Sequence, residues 1–242
     1  LGNEASALEE MARTYEAIGL APRRVPTDPA ALAAHPGFSP PLVSYEGRAM
    51  STRGGHVVYL DELLKRAQEK ALVIMQEKSP DMEDMETAAR SVGIGAVVFT
   101  TLFNSRIKDI DFWWERALNF DGETGPYVQY THARCCSVLK KAPDNTAAPD
   151  YEALSNDEAQ AVLKQISLFP EAIRKAQTDN EPSTVTRATV EVAKAFNKYY
   201  YEHRILEGEP AQIAARLQLV KATAGVIRLG LYLIGVDAPE AM

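Results

Sequence analysis

From Leu60 onward the chain carries almost no alternation of period two; its apolar residues recur at three- and four-residue spacing. That spacing predicts helices that bury one stripe each. A chain built from such helices folds as a bundle rather than a sheet protein. The clearest run is Ile213, Leu217, Val220, Ala224, Ile227, Leu231 and Ile234, stopped by Gly235 and barred from resuming by Pro239. Val185, Thr189, Val192, Phe196 and Tyr199 form a second stripe, on a helix predicted to start at a Ser/Thr cap.

The remaining segments follow from the same reading. Residues 1 to 20 read as a helix ending at Gly19, and the proline-rich residues 21 to 41 read as loop. The "PLVSYEG" segment is a short strand candidate, and "VVYL" is either a brief strand or the lead into a helix. A helix is expected from Asp61 with Leu63, Leu64, Ala67, Ala71, Ile74 and Met75 inward, and another from about Met82 into "GIGAVVFTTLF". One of Trp113 and Trp114, which diverge on a helix, should anchor the helical pieces. The "APDNTAAPD" segment is a linker, and residues 151 to 177 read as two short helices parted at Phe169-Pro170.

Composition narrows the function classes. Apolar residues reach 46%, enough for a real core, and no apolar run approaches the ~20 residues of a membrane span. No signal peptide is apparent, and the two cysteines, Cys135 and Cys136, are adjacent, which fits a reducing cytoplasm rather than a disulfide framework. Net charge is −7, with acids outnumbering bases on both sides of Asn119, so a nucleic-acid contact has to come from a local patch. The four histidines are scattered and no Cys-X-X-Cys occurs, which leaves metal binding without support. The first residue is Leu1, and the expectation is a piece of a longer chain.

The stretch "NFDGETGPYVQYTHARCC", residues 119 to 136, carries the densest chemistry. Asp121-Gly122 and Gly125-Pro126 make turns, and Pro126 suits a first helical position. At about 100° per residue two flanks separate. Val128, Thr131, His132, Cys135, Val138, Leu139 and Ala142 face the core, which makes Cys135 a small buried hydrophobe. Tyr127, Tyr130, Arg134, Ser137 and Lys141 share the adjacent flank. Two phenols and a guanidinium on one face can stack on unpaired bases and pair with phosphate. They can equally be boundary residues of a bundle, rings in and hydroxyls out. A Cys–His nucleophile pair with His132 lacks an orienting group.

The order of "RAMSTRGGHVVYLDELL", "VGIGAVVFTTLFNSRIKDIDFWWERALNFDGETGPYVQYTHAR", "LFPEAI", "AFNKYYYEHRIL" and "LYLIGVDAPEAM" resembles the C-terminal half of arginyl-tRNA synthetases, from about Val43 to Met242. These are class I enzymes that activate arginine with ATP on a Rossmann-type domain and esterify tRNA. The resemblance implies a mainly α fold: a helical anticodon-binding bundle preceded by a small α/β remnant of the catalytic domain. It divides the chain into residues 1–60 (catalytic-domain remnant), 61–118 (connecting helices against the tRNA stem) and 119–242 (anticodon-binding bundle). Met50, Ser51, Thr52 and Arg53 match a degenerate Lys-Met-Ser-Lys-Ser loop, with Ala49 in place of the first lysine. That loop would hold the leaving phosphates of ATP. The His-Ile-Gly-His element is missing, and "HPGF" at His35 to Phe38 lacks its second histidine. The piece should therefore be inactive alone, and ATP with Mg²⁺ belongs to the full-length enzyme. Carried over as anticodon contacts are Tyr127, Tyr130, Arg134 and Met242, with Gln129 assigned to packing. Arg106 and Lys108 are candidate contacts to the tRNA backbone. The expected partner is arginine-specific tRNA, with neither DNA nor membrane, and the expected state is a cytoplasmic monomer. The rival readings are a free-standing tRNA-binding module and a plain helical interaction protein.

Overall fold

The computed structural model describes residues 43–50, 57–80, 82, 84–144 and 147–242. The expected helix over 1–20, the proline-rich loop, the "HPGF" segment and Ser51, Thr52 and Arg53 lie outside these described residues.

Strand β1 (Val43–Tyr45) and strand β2 (Arg48–Ala49) form a hairpin, pairing Ser44 with Ala49 and Tyr45 with Arg48. Both turn residues, Glu46 and Gly47, have positive φ (48° and 74°), the conformation that matches the twist of a two-residue hairpin loop. A third strand, β3 (Ile110–Phe112), adds in parallel to β1. The expectation of pure helix beyond Leu60 therefore fails at these three residues. A three-residue strand is too short to show a period, and its pairing partner lies more than sixty residues earlier. The "VVYL" segment leads into a helix rather than forming a strand.

Seven α-helices occur among the described residues: α1 (Leu60–Lys78), α2 (Met85–Phe103), α3 (Trp114–Ala117), α4 (Gly125–Lys140), α5 (Asp157–Asp179), α6 (Ser183–Glu202) and α7 (Pro210–Leu233). A 3₁₀ turn at Tyr151–Leu154 leads into α5. The mainly α architecture read from the sequence is the observed one.

Two expectations are corrected. Helix α5 runs unbroken through Pro170, because Phe169 and Ala176 on its inner face are both buried in the core. The exposed proline ring sits on the outer face, where water can serve the carbonyl it leaves unbonded. Helix α6 has no Ser/Thr side-chain cap; its N-cap is Pro182, and the amide of Ser183 instead donates to the Glu181 carboxylate (3.4 Å).

The core has three clusters. The first joins Ala67, Ala71 and Met75 of α1 to Ala89, Val92 and Ala96 of α2, with Phe112 and Trp114. Trp114 is the buried tryptophan: it donates through Nε1 to the Tyr45 hydroxyl (2.8 Å) and meets Phe112 edge-on at 5.0 Å. Trp113 faces outward and donates to Asp111 Oδ2 (2.7 Å). The second cluster gathers Phe99, Val128, Phe169, Val190, Val192, Ile227 and Leu231, and the third gathers Cys135, Val162, Phe196, Tyr199, Leu219 and Val220. Helix α4 spans the last two clusters. The buried threonine hydroxyls cost nothing in lost hydrogen bonds: Thr131, Thr189 and Thr223 each donate to the carbonyl four residues earlier (2.8 Å).

Helices α1 and α2 approach until a Cβ at Gly93 would stand 2.6 Å from the backbone of Ala67. At the other end, Gly235 (φ 74°) closes α7, and the Val236 amide reaches back to the Leu231 carbonyl (2.9 Å).

Candidate nucleic-acid interface

The turn before α4 is tied by its own side chains. Asp121 donates its amide to Asn119 Oδ1 (2.8 Å), and the Thr124 hydroxyl donates to the Asn119 carbonyl. The same Thr124 oxygen accepts the Tyr127 amide (3.2 Å), which makes it the N-cap, with Pro126 inside the first turn. This fixes where α4 starts and so which flank faces outward.

Along that flank, Tyr130 is 40% exposed and Arg134 is half-buried. The Arg134 guanidinium lies 4.9 Å from the ring of Tyr130 and 4.9 Å from the ring of Tyr200 on α6. It also donates to Asn197 Oδ1, and Asn197 in turn donates to the Thr131 hydroxyl (2.8 Å). The cation is thus held between two aromatic rings and an amide. Around this group opens a groove of about 970 Å³, lined by Tyr130, Arg134, Ser137, Lys140, Lys141, Tyr200, Glu240 and Met242, with Cys136 on its wall. The charge there is locally positive although the chain is acidic.

Met242 reaches the groove because two residues of α4 hold the C-terminal tail. Gln129, fully buried, donates through Nε2 to the Asp237 carbonyl (2.8 Å) and to the Ser91 carbonyl (3.3 Å). His132 meets the Pro239 carbonyl at 2.9 Å through Nδ1. A carbonyl only accepts, so Nδ1 carries the proton and the tautomer is set.

The sequence-derived site residues separate in space. Tyr130, Arg134 and Met242 share the groove. Tyr127 is half-buried against the second core cluster and does not line it. Arg106 and Lys108 are exposed on the connection between α2 and β3, outside the groove lining. Arg106 is engaged there: its amide donates to Glu181 Oε1 and its guanidinium to the Asp179 carbonyl, both at 3.4 Å. Of the ATP-loop residues only Met50 is described; it is 40% exposed and lines a 630 Å³ pocket with Arg48, Arg66 and Trp113.

The cysteines are not a nucleophile site. Cys136, not Cys135, lies beside His132, with its Sγ 3.8 Å from both ring nitrogens. Burial pushes the thiols of both residues up, and for Cys136 the nearby Glu240 carboxylate adds to it. Among the described residues no group of three or more His, Cys, Asp or Glu could hold a metal ion, and no helix is long and apolar enough to cross a membrane.

Sequence reading missed Tyr200 and Asn197. A signal was present: in "KYYYE" three consecutive tyrosines diverge by about 100° each, so one inward ring leaves the others facing out. Tyr199 is the inward one, fully buried; Tyr200 flanks Arg134, and Tyr201 is 86% exposed.

Comparison with known proteins places this geometry. Residues 128–242 match the DALR anticodon binding domain, and residues 13–114 match the catalytic domain of class I (R) tRNA synthetases. The arginine–tRNA ligase of Alkaliphilus metalliredigens is 48% identical over 203 residues, covering 83% of this chain and 36% of that protein. That of Halothermothrix orenii is 48% identical over 202 residues, again covering 83% and 36%. The solved Thermus thermophilus arginyl-tRNA synthetase superposes with a TM-score of 0.76 at 35% identity, over 83% of this chain and 34% of that one. A Plasmodium falciparum arginyl-tRNA synthetase, at 20% identity and a TM-score of 0.68, covers 77% of this chain and 34% of its own and shares the fold. The chain thus spans about 36% of the length of the curated relatives it matches. A DALR-type helical domain behind a short stretch of class I catalytic domain, matched at this identity, makes the chain a member of the arginyl-tRNA synthetase family.

Proposed function

We propose that this chain is the tRNA-reading part of an arginine–tRNA ligase, and that the groove beside α4 receives the anticodon loop. The observation that carries the reading is the Tyr130–Arg134–Tyr200 group, open to solvent along a groove with Lys140, Lys141 and Met242 on its walls. An anticodon loop presents unstacked bases, and aromatic faces bind these at about 1–3 kcal/mol per base. Lys140 and Lys141 supply the local charge that a chain of net −7 otherwise lacks. Arg134, engaged by two rings and Asn197, acts by holding the aromatic faces in place. Met242 contributes an apolar edge, and Tyr127 supports the helix start from inside.

In this reading residues 1–60 continue the catalytic domain, residues 61–118 lie along the tRNA stem and residues 119–242 read the loop. Arg106 and Lys108 touch the backbone. The whole enzyme joins arginine to tRNA with ATP and Mg²⁺, and residues 50–53 form its phosphate-holding loop. The chain alone forms no aminoacyl-adenylate, acts as a monomer in the cytoplasm and ignores DNA.

The test is fluorescence titration with an arginine-accepting tRNA, its anticodon-swapped version and a DNA hairpin of equal length. Tyr130→Ala should weaken the cognate tRNA about ten-fold while costing no more than about 1 kcal/mol of stability. Equal affinity for cognate and swapped tRNA would replace this reading with a nonspecific RNA-binding module.

A further inference from the structure

Strand β2 holds the two residues, Arg48 and Ala49, that lead to Met50, the first residue matching the Lys-Met-Ser-Lys-Ser pattern. It is an edge strand: the sheet order is β2-β1-β3, and β2 pairs with β1. A two-residue edge strand has little hold of its own. Its course is therefore set at the hairpin turn, and a side chain 64 residues further along the chain grips that turn.

We infer that Asp111 is a positioning residue for the ATP step: its carboxylate holds the Glu46-Gly47 turn, and through that turn the heading of β2 towards Met50. The inference rests on the ligase reading and adds a residue to it. Each carboxylate oxygen has its own donor. Oδ1 accepts the Gly47 amide (3.1 Å), and Oδ2 accepts the Trp113 indole N–H (2.7 Å). The Trp113 ring is the floor of the turn: a Cβ at Gly47 would stand 3.3 Å from it, and φ 74° there already favours glycine. The Arg116 guanidinium lies 5.9 Å from the centre of the same ring.

The backbone fixes register up to the turn. Tyr45 pairs with Phe112, and the Glu46 amide donates to the Phe112 carbonyl (2.9 Å). These bonds hold β1; the carboxylate of Asp111 reaches one residue further, to Gly47. Asp111 is exposed and Trp113 half-buried, whereas the residues beside them, Phe112 and Trp114, belong to the first core cluster. Removing the carboxylate therefore frees the turn and leaves the core in place. Arg48 and Met50 line one pocket with Arg66, so a swing of β2 moves a cation and the entrance to the ATP loop together. All three strands fall within residues 13–114, which match the catalytic domain.

The experiment is steady-state ATP–pyrophosphate exchange by the full-length ligase that carries this chain, each substrate varied in turn with the others saturating. Asp111→Ala should lower kcat/KM for ATP about ten-fold, as the loss of a hydrogen bond to a charged group implies. KM for arginine and affinity for tRNA should stay within about two-fold of the natural enzyme. Asp111→Asn, whose amide oxygen keeps one of the two donors, should lower kcat/KM for ATP about three-fold. The inference is overturned if Asp111→Ala leaves kcat/KM for ATP unchanged. It is equally overturned if arginine and tRNA weaken as much as ATP, which would make Asp111 a general support of the fold. A natural enzyme that exchanges no pyrophosphate is a different result: it removes the ligase reading first, and this inference with it.

Discussion

Arg134 holds its guanidinium 4.9 Å from the ring of Tyr200, although the two residues sit on different helices. A lysine would keep the charge and lose the planar guanidinium that sits over both rings and the fork that reaches Asn197. Arg134→Lys should therefore cost about 1 kcal/mol of stability and weaken cognate tRNA about ten-fold or more. Thermal melts and titration of the same preparations measure both. Affinity equal to that of the natural protein would mean that the rings keep their positions without the guanidinium.

A methyl group added at Gly93 has no room. Its neighbours would be backbone atoms of Ala67 and Gln68 at 2.6–2.7 Å, which cannot swing aside as a side chain would. Gly93→Ala should destabilise by about 1–3 kcal/mol, through separation of α1 from α2. Urea denaturation measures it. Gly225→Ala, where a Cβ meets nothing within 4 Å, is the control and should be neutral or slightly stabilising because alanine favours helix.

The pattern of what could be read in advance has a physical basis. The stripes of α6 and α7 were legible because helices of twenty residues or more repeat their period several times, and Val185 to Tyr199 and Ile213 to Ile234 fall inward as spaced except Leu217, which is half-buried while Leu219 takes the core position. Strand β3 and the continuity of α5 were not legible. One depends on a distant partner, and the other on Phe169 and Ala176 finding a core across a proline. At the site, helix geometry alone put Tyr130 and Arg134 on one flank. It could not show that Tyr127, on the same flank, lies at a depth where the core reaches it. Nor could it show that Tyr200 of α6 flanks Arg134, because that meeting is set by how separate helices pack.

Glu181 joins two connections. Its carboxylate accepts from the Ser105 hydroxyl (2.7 Å), the Ser183 amide and the Arg106 amide (both 3.4 Å). Burial pushes its carboxyl up, but these hydrogen bonds outweigh burial and hold it below the ordinary carboxylate value. A lowered folded-state value means stabilisation that is complete above the unfolded value, about 4.3, and lost as pH falls through the folded one. Glu181→Gln should therefore be less stable than the natural protein by a constant margin at neutral pH, with the margin closing under acid. Denaturation midpoints compared at neutral pH and at about pH 3 give the margin. A gap that widens under acid would refute the assignment.

The two adjacent thiols should behave differently. Cys135 is fully buried and Cys136 is half-exposed on the groove wall. With both thiols raised, labelling by iodoacetamide should be slow at pH 7, faster at higher pH, and confined to Cys136 until the protein unfolds. Bound tRNA should shield Cys136. Mass spectrometry of the modified peptide, with and without tRNA, reads the site and the protection.

The tail beyond α7 is fastened at Asp237 and Pro239 by Gln129 and His132, which lie on the same helix as Tyr130. Whatever is fused after Met242 therefore starts inside the opening rather than out in solvent. A purification handle attached there would crowd the groove lined by Tyr130, Arg134 and Met242, the space proposed above for RNA.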